Sequence, residues 1–385
     1  MKNQKVLASG LLEKIGSPES ILTHKTRTNQ GGMNVLRREN PVLDHSQGLG
    51  LIVDVFSETE VLNDPATLSG IGHRVVHGGE LFQSPVLIDD DIIVSIKSLV
   101  PLAPLHNPAN IAGIEVMREL CPAVPQVAVF DTAFHQTLPP YAFHYALPFE
   151  YYEQMGIRRY GFHGTSHSYV AKEAARLMGK PLDELNLITL HLGNGDSVCA
   201  IEKGKSIDTS MGMTPVAGLF MGTRSGNIDP GVLLHVAREK GFTIDQMDNL
   251  LNKESGLKGL CGSNDLRDIN SRIAQGDSRA KLAHDMFTSQ VKKYIGSYFA
   301  VLGHVDAIVF TAGIGEHDTT VREICCSNME CLGILLDSDA NKAVHDGAYC
   351  ITKPASSVRV FVIPTNEEIE IACQTRNVLH EKQLV

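Results

Sequence analysis

The stretch "ITLHLGNGDSVCAI", residues 188–201, decides the fold because it joins two apolar runs through a short glycine-rich turn. The first run ends at Leu190, the turn is Gly193-Asn194-Gly195, and alternation resumes at Val198. This pattern predicts a β-hairpin whose turn leaves the backbone open to close contact. Alone it indicates only a hairpin, because Asn-Gly is a common turn sequence.

Two further apolar runs end in turns of the same kind. They are "DAIVFTAGIGEH" (306–317) and "RVFVIPTNEE" (359–368). Ligands of α/β proteins collect at the carboxyl ends of strands, so three such turns favour a nucleotide cleft over three unrelated loops. The chain contains no GxxxxGK[ST] motif and no GxGxxG followed by an acidic residue. Walker-type and Rossmann-type sites are therefore excluded.

The composition is that of an ordinary globular protein with room for two domains. The chain has 385 residues, of which 43% are hydrophobic and 20% charged, and its formal net charge is −10. No lysine or arginine run exceeds a doublet. Nucleic acid and anionic membranes are therefore not expected as main partners.

Strands alternate with helices along the chain, which predicts α/β architecture. Strands are expected at 5–14, 71–79 and 126–135, the last running into a loop, and helices at 43–57, 90–99 and 277–303. Residues 24–42 are polar and irregular. Helix starts are predicted at Asn107-Pro108 with Asn107 as cap, at Thr165 or Ser166, and at Asp229-Pro230. The run 306–317 is expected to be a strand, a glycine turn and a helix.

The cysteines predict a reducing environment. The chain has eight, none in a CxxC pair and most in apolar surroundings, which favours buried thiols over disulfides or zinc ligands. The N-terminal residues show no signal-peptide pattern, and no apolar run approaches membrane-spanning length. We therefore expect a cytoplasmic protein.

Isolated polar residues in apolar or glycine-rich settings are the candidate site. Arg74 lies in "GHRVVHGG" and Arg224 in "MGTRSG". Burying an arginine is costly without an anionic partner, so either a structural ion pair or a bound anion is expected, and the flanking glycines favour the anion. Asp131 follows a predicted strand. "YGFHGTSHS" contains His163 and His167, of which His163 is the stronger candidate.

Seven segments carry a resemblance to a known family. They are "GHRVVHGGE", "PLHNP", "VFDTAFHQTLPPYAFHYALPFEYYEQMGIRRYGFHGTSH", "HLGNG", "DTSMGMTPVAGLFMGTRSG", "TAGIGE" and "IPTNEE". In this order and spacing they closely resemble the acetokinase family from about residue 5 to the C-terminal helix. The resemblance implies a duplicated α/β fold of the actin/hexokinase/Hsp70 (ribonuclease H-like) type. It also implies a homodimer that uses ATP and Mg²⁺ (or Mn²⁺) to convert acetate reversibly to acetyl phosphate and ADP.

The resemblance also assigns domains and residues. The first domain would be 1–132 with 369–385, and the second, nucleotide-binding and dimerising, 133–368. The catalytic residues would be Asp131, His163 and Arg224. Substrate would contact Arg74, Val76, Leu105, His106, Phe162 and Pro215. Nucleotide would contact His191, Leu192, Gly193, Asn194, Gly195, Asp265, Leu266, Arg267, Gly313, Ile314, Gly315, Glu316 and His317. Glu367 would serve Mg²⁺.

Physical chemistry fits these assignments. Phosphoryl transfer depends on positioning and on neutralising negative charge, which arginines, a histidine and Mg²⁺ supply. An acetate nucleophile has a carboxyl pKa near 4, so it is ionised at neutral pH and needs no general base. We therefore expect Asp131 to orient Mg²⁺ or an arginine. A pocket bounded by the branched Val76 favours acetate over propionate.

The chain departs from the family pattern in places. Nothing matches the family's N-terminal Asn-x-Gly-Ser-Ser-Ser-x-Lys loop and its two strands. We therefore expect a first domain that lacks its N-terminal strands, with poor folding or greatly reduced activity. Asp196, Asn227 and His317 replace the usual residues, and Asp196 adds negative charge near the phosphates unless it points away. The alternatives are a propionate or other short-chain acyl kinase and an impaired nucleotide-binding form.

Overall fold

The computed structural model describes residues 5–27 and 32–384. The chain divides into two compact units. The first comprises Met1–Phe130 and Ile371–Val385, and the second Asp131–Glu370. In the described ranges no helix is long and apolar enough to cross a membrane.

The described residues of the first unit form two small sheets. Its strands are β1 (Ala8–Glu13), β2 (Ile21–Arg27), β3 (Met33–Glu39), β4 (Ile71–Val75), β5 (Val86–Leu87) and β6 (Gln126–Phe130), and its helices are α1 (His45–Glu58), α2 (Asp90–Ser98) and α3 (Asn107–Leu120). One sheet has the order β1-β2-β3 and is antiparallel. The other has the order β4-β6-β5, with β4 parallel to β6.

The prediction that residues 24–42 are irregular is wrong. Residues 24–27 and 33–39 lie in β2 and β3, which pair antiparallel from Ile21↔Glu39 to Arg27↔Met33, whereas 28–31 lie outside the described residues. Every second residue of β2 is buried, namely Leu22, His24 and Thr26. Two of these buried residues are polar, so the strand's alternation does not appear as a hydrophobic pattern.

The predicted helices of this unit are confirmed with small shifts, but the cap of α3 is not. His106, not Asn107, precedes the helix. The Asn107 side chain instead accepts a hydrogen bond from the His77 N–H at 3.2 Å and donates one to the His77 carbonyl at 3.1 Å. It thereby joins the start of α3 to the segment after β4. The predicted strand 71–79 correspondingly ends at Val75.

The second unit is built on one sheet of six strands. They are β7 (Asn186–Leu192), β8 (Asp196–Glu202), β9 (Lys205–Thr209), β10 (Ala307–Thr311), β11 (Tyr349–Cys350) and β12 (Arg359–Val362). Their order is β11-β12-β10-β7-β8-β9. The strands β7, β8 and β9 are antiparallel, whereas β7, β10 and β12 are parallel. The hairpin predicted at 188–201 is confirmed as β7 and β8.

Helices cover both faces of this sheet. They are α4 (Pro140–Phe143), α5 (Glu150–Met155), α6 (Gly164–Met178), α7 (Pro230–Lys240), α8 (Ile244–Asn249), α9 (Gly256–Cys261), α10 (Leu266–Ala274), α11 (Ser278–Leu302), α12 (Ala312–His317), α13 (Thr319–Cys326) and α14 (Ser338–Lys342). On one face Phe287 and Val291 of α11 share a core with Leu190. On the other, Val170 of α6 shares a core with Val309. The alternating strand residues are therefore buried on both sides.

A final helix, α15 (Glu367–Glu381), begins in the second unit and continues into the first. In the first unit its Leu379 packs with Val127 and Val129 of β6. The predicted helix starts at Asp229 and at residue 277 are confirmed, since Asp229 and Asp277 cap α7 and α11. Buried thiols are also confirmed, because five of the eight free cysteines are buried.

Two helix starts in the second unit differ from prediction. Helix α6 begins at Gly164 after His163, not at Thr165 or Ser166. No separate glycine turn follows β10 either, because Ala312 itself adopts a left-handed conformation (φ 63°) and α12 begins there. In both places a residue other than glycine makes the turn, which sequence patterns do not reveal.

Candidate active site

Three strands bring the predicted loops to one edge of the second unit's sheet. In the parallel register His191 of β7 lies opposite Thr311 of β10, and Phe310 lies opposite Val362 of β12. The segments that follow these strands, 193–195, 312–317 and 363–367, therefore leave the sheet on the same side. The three turns predicted at strand ends therefore lie at one edge of the sheet, and their binding of a nucleotide stays a prediction.

The turn Gly193-Asn194-Gly195, which we call the phosphate turn, contacts two candidate residues. A Cβ atom added at Gly195 would lie 3.1 Å from Arg224 Nη1 and 3.5 Å from His163 Nε2. Because position 195 has no side chain, the guanidinium and the imidazole can approach the backbone. The structure thus brings His163, Arg224 and the phosphate turn together.

His163 is presented by an unusual backbone conformation. It has a left-handed φ of 57° and immediately precedes α6. The next residue, Gly164, donates its N–H to the Asp131 carbonyl at 2.9 Å, and a Cβ there would lie 2.2 Å from that oxygen. Asp131 is itself buried, and its Oδ1 accepts a hydrogen bond from Thr165 at 3.5 Å. Asp131 and His163 are therefore placed on adjoining backbone.

A chain of hydroxyls and imidazoles is hydrogen-bonded to Nδ1 of His163. His163 Nδ1 lies 2.9 Å from Ser197 Oγ, which lies 2.7 Å from His167 Nε2. His167 Nδ1 in turn lies 2.7 Å from Thr189 Oγ1. Burial and the neighbouring His135 and His191 lower the pKa of His167 well below its usual value. His167 is therefore neutral at pH 7, and its role is to orient His163 through Ser197.

His191 stacks against His163. Their ring centroids are 4.1 Å apart at an interplanar angle of 25°. His191 Nδ1 lies 2.8 Å from Ser166 Oγ, which is 2.8 Å from Thr365 Oγ1. The start of α6 is thereby tied both to the end of β7 and to the loop after β12.

Another buried histidine supports Phe162. His135 Nε2 donates to the Phe162 carbonyl at 3.0 Å, so Nδ1 is the acceptor for the Ser206 hydroxyl at 2.8 Å. Burial lowers the pKa of His135 to about 4. The ring is therefore neutral at physiological pH and serves to position residue 162.

Arg224 carries the positive charge beside the phosphate turn. Its Nη1 donates to the Pro215 carbonyl at 3.4 Å. Burial lowers the pKa of Arg224, and the carboxyl of Asp196 acts in the opposite direction. Asp196 does not point away from the loop but is fully buried, and its Oδ1 accepts the Gly193 N–H at 2.6 Å. The charges of Arg224 and Asp196 therefore influence each other's pKa.

Beside the phosphate turn lies a cavity of about 660 Å³. It is lined by Gly193, Asn194, Asn264, Asp265, Leu266, Arg267, Asn270, Gly313, Ile314, His317, Asp318, Thr319 and Thr320. Most of the predicted nucleotide residues therefore share one cavity large enough for a small ligand. Asp265 caps α10 and pairs with Arg267 at 2.6 Å.

Gly315 and Glu316 are not in that lining but hold α12 in place. Both carbonyls accept hydrogen bonds from Arg322 Nη1, at 2.9 and 2.8 Å. Glu316 Oε1 accepts the Thr365 N–H at 3.1 Å. Their position indicates support of the cavity wall, with Gly313, Ile314 and His317 facing the cavity.

Glu367 is the first residue of α15, directly after the loop that follows β12. In the part of the chain that the structure describes, no group of three or more His, Cys, Asp or Glu side chains could hold a metal. Mg²⁺ in kinases is held by one or two carboxylates together with phosphates and waters. One carboxylate at this edge therefore fits a cation that accompanies the nucleotide.

The first unit holds the remaining candidates around the end of β4 and the start of α3. Val76 N–H donates to Asn110 Oδ1 of α3 at 3.0 Å, and Leu105 and His106 immediately precede that helix. Arg74 lies on β4 and is exposed, so the expectation that it is buried is wrong. An exposed arginine incurs no burial cost, and the argument for anion binding from that cost applies only to Arg224.

Sequence reasoning missed several supporting residues. Ser197, Ser166 and Thr365 link the histidines, and Arg322 anchors α12. Serine and threonine on a strand or helix carry no pattern that marks them as partners of a distant histidine. His167 is the weaker of the two candidate histidines in the sequence, although it lies four residues after His163, about one helical turn further on.

A phosphate turn, an arginine, stacked imidazoles and a nucleotide-sized cavity on this sheet order define a nucleotide-dependent phosphotransferase with the actin/hexokinase-like fold. Comparison with known proteins specifies it further: the chain belongs to the acetokinase family, whose model matches residues 1–373. It is 52% identical over 372 residues to the acetate kinase of Syntrophobacter fumaroxidans, covering 96% of this chain and 90% of that protein.

Solved structures agree. A crystal structure of Porphyromonas gingivalis acetate kinase matches with a TM-score of 0.90 at 43% identity, covering 97% of this chain and 94% of that one. A propionate kinase from Francisella tularensis matches with a TM-score of 0.89 at 42% identity and the same coverage. The family and the fold class predicted from the sequence are confirmed.

Proposed function

We propose that the protein is an acetate kinase, which transfers the γ-phosphoryl group of ATP to acetate and forms acetyl phosphate and ADP reversibly. One observation carries the proposal most directly: the phosphate turn lies against both Arg224 and His163. Acetate as the acceptor is supported by the relative from Syntrophobacter fumaroxidans, an acetate kinase that is 52% identical over 372 residues.

In this proposal ATP lies along the edge of the second unit's sheet. The adenosine occupies the cavity of about 660 Å³, between the start of α10 and α12. Its phosphates extend to the phosphate turn, with His191 and Leu192 at the end of β7. The backbone of the turn and the guanidinium of Arg224 provide donors for phosphate oxygens.

The transferring group spreads negative charge over its equatorial oxygens. Arg224 neutralises that charge, and His163 Nε2 donates a hydrogen bond to it. Arg74 is proposed to bind the acetate carboxylate, and His106 to contact the transferring group. The acetate oxygen attacks phosphorus in line, and the β–γ bridging oxygen departs with ADP.

Mg²⁺ bound with ATP would neutralise the phosphates, and Mn²⁺ would serve in its place. Glu367 would hold the cation, through water, because a single carboxylate at this edge suits a metal bound mainly by phosphates. Asp131 would orient Arg224 or the hydrated cation rather than remove a proton, since acetate is already ionised. Asp131→Asn should therefore lower turnover, and near-normal turnover with unchanged Mg²⁺ dependence would exclude an essential role.

Val76 and Leu105 are proposed to contact the acyl group, and the same role is proposed for Phe162 and Pro215. Propionate kinase activity is the second candidate, because the Francisella tularensis propionate kinase matches as well as the acetate kinase does. One methylene changes discrimination by about 1–3 kcal/mol. We expect a higher kcat/KM for acetate, and Val76→Ala should shift the ratio towards propionate. A higher kcat/KM for propionate in the wild type would select the second candidate.

The test of the proposed function combines turnover with binding. The purified chain is incubated with ATP, Mg²⁺ and acetate, and acetyl phosphate is trapped as the hydroxamate. Formation of acetyl hydroxamate that is lost in Arg224→Ala supports the proposal. ATP binding without hydroxamate would instead support a nucleotide-binding protein without this activity.

We further propose a cytoplasmic homodimer whose functional domains are 1–132 with 369–385 and 133–368. Free cysteines suit a reducing compartment. The second unit exposes apolar side chains on and near α7, including Val232, Leu234 and Ile244, which a second copy could cover. Sedimentation equilibrium should give twice the chain's 41.9 kDa, and the monomer mass would exclude the dimer.

A further inference from the structure

Asp196 is the buried acidic residue at the phosphate turn. It is the first residue of β8 and pairs with Leu192 of β7, so the turn closes on it. Its side chain is 0% exposed. Oδ1 accepts the Gly193 N–H at 2.6 Å, whereas Oδ2 has no hydrogen-bond partner in the described part of the chain. A buried carboxylate with one unpaired oxygen is unfavourable compared with the neutral acid.

The surroundings of Asp196 act on its charge in opposite directions. Burial raises the pKa of Asp196 well above its usual value, while the Gly193 N–H and Arg224 lower it. Arg224 therefore favours the charged carboxylate, although burial has the larger effect on the pKa of Asp196. The titratable and charged groups at the turn and its cavity are Arg224, His163, His191, Asp265, Arg267, His317 and Asp318.

Nucleotide phosphates would change this balance. In the proposed function, on which this inference rests, the phosphates take Arg224 as their own partner. They also bring negative charge next to Asp196. Both effects disfavour a second anion in a buried position. Binding of one anion would therefore be linked to neutralisation of the other.

We propose that Asp196 takes up a proton from solvent when nucleotide phosphates bind at the phosphate turn. The proton adds to the carboxylate, no other bond changes, and buffer supplies it. The neutral acid keeps its carbonyl oxygen as acceptor for Gly193 N–H, so the turn retains its shape. Asp196 is thus a positioning residue whose charge is removed as the phosphates arrive.

Linkage gives this proposal a measurable consequence. If bound nucleotide raises proton affinity at Asp196, then raising the pH between the free and bound pKa values must weaken nucleotide binding. The limit is about tenfold in Kd per pH unit for one proton. Asp196→Asn replaces the carboxyl by a neutral group of the same shape with an acceptor for Gly193 N–H, so this contribution disappears.

Isothermal titration calorimetry of the full-length protein with MgADP, in buffers of different ionisation enthalpy, counts the protons exchanged on binding. The wild type should take up more protons than Asp196→Asn, with the difference approaching one proton where Asp196 is anionic when free. Protons taken up by the ligand or by His163 are common to both proteins and cancel. Asp245→Asn, at an exposed aspartate on α8, should match the wild type.

Asp196→Ser provides a second neutral variant in case the amide disturbs the turn. Uptake of fewer protons by either folded variant than by the wild type supports the proposal. Equal proton uptake by wild type and both variants across pH 6 to 9, a range of about three units around neutrality, overturns it. If neither the wild type nor any variant binds MgADP, the proposed function is refuted. If MgADP binds but no turnover is seen, the number of protons taken up still decides the proposal for Asp196.

Discussion

His163 occupies the left-handed region of backbone space, with a φ of 57°. A residue other than glycine pays roughly 1–2 kcal/mol for that conformation, so its surroundings must hold it there. Those contacts are identifiable: Gly164 N–H bonds to the Asp131 carbonyl, and Ser197 bonds to the imidazole. Strained residues held in this way are common where a side chain must be aimed precisely.

Ser197→Ala tests the chain behind His163. It removes the partner of both His163 Nδ1 and His167 Nε2. Each of these two hydrogen bonds contributes about 0.5–1.5 kcal/mol, so the loss of both should lower kcat about 10- to 100-fold. KM for ATP should change little, because the serine does not line the nucleotide cavity. Steady-state kinetics with varied ATP measures both quantities.

The matched control is Ser356→Ala. Ser356 is also a buried serine with several hydrogen bonds, to Leu335, Gly333 and Val358, but none to a candidate site residue. It should lose stability and keep kcat. An equal loss of kcat in both variants would mean that the effect of Ser197 comes from general destabilisation.

Acid sensitivity follows from the buried neutral histidines. The unfolded chain protonates His135 near its ordinary pKa of 6.5, while the folded chain resists protonation until about pH 4. Because the folded pKa is depressed, the full stability is present above pH 6.5 and is lost as the pH falls towards 4. The free energy of unfolding should decrease by about 1.4 kcal/mol per pH unit per histidine in this window.

Urea denaturation at several pH values measures this slope. His135→Gln should have a shallower slope below pH 6.5 than the wild type. His235→Gln changes an exposed histidine of α7 and should keep the wild-type slope. If all three slopes were equal, His135 would not be neutral in the folded protein.

At the scale of elements, the approach of α6 to the Asp131 segment sets the geometry of the site. Gly164→Ala would place a Cβ 2.2 Å from the Asp131 carbonyl oxygen, a backbone atom that cannot swing away. The start of α6 must shift, and with it His163. We expect a loss of about 1–3 kcal/mol of stability and a larger proportional loss of kcat, measured by thermal denaturation and turnover.

Gly296→Ala is the control for this substitution. Gly296 lies inside α11, and a Cβ there meets no atom within 4 Å. Alanine is favoured over glycine inside a helix by about 0.5–1 kcal/mol, so this variant should gain stability and keep its activity. A loss of stability as large as that of Gly164→Ala would show that close approach is not the cause.

Among the elements, those determined by neighbouring residues could be predicted from the sequence. The hairpin of β7 and β8 and the caps of α7 and α11 follow from local patterns, because a turn or an aspartate before a helix acts on its neighbours. The strands β2 and β3 and the cap of α3 depend on distant partners. The buried polar residues of β2 and the bonds of Asn107 to His77 exist only after the chain has folded.

At the scale of the whole molecule, the sequence predicts the family correctly, but it does not predict the contacts within the site. Segments in family-like order identified the acetokinase family, and the family match extends over residues 1–373. Burial of Asp196, exposure of Arg74 and the hydroxyl–imidazole chain could not be read from the residues. Each depends on which side chains tertiary packing brings within hydrogen-bond distance or covers from water.

The proposed nucleotide position predicts where ligand protects the whole chain from hydrogen exchange. Adding MgADP should slow amide exchange at 193–195, 264–267 and 313–317, because ligand contacts suppress local opening. Peptide-level exchange measured by mass spectrometry checks this prediction. The first unit contains a comparable cavity lined by Glu115, Arg118 and Cys121, and protection concentrated there would move the nucleotide site.

The chain from Thr189 through His167 and Ser197 to His163 has a consequence for the direction of the reaction. Each hydroxyl and each imidazole in it can both donate and accept, so all the bonds can reverse together without leaving Ser197 or His167 unpaired. His163 can therefore be an Nε2–H neutral ring or an imidazolium at little cost to its support. The proposed enzyme binds ATP and acetate in one direction of the reaction, and ADP and acetyl phosphate in the other. Its histidine must therefore function in either protonation state. In the proposed function, His163 would therefore serve synthesis and breakdown of acetyl phosphate without rearrangement of the backbone that supports it.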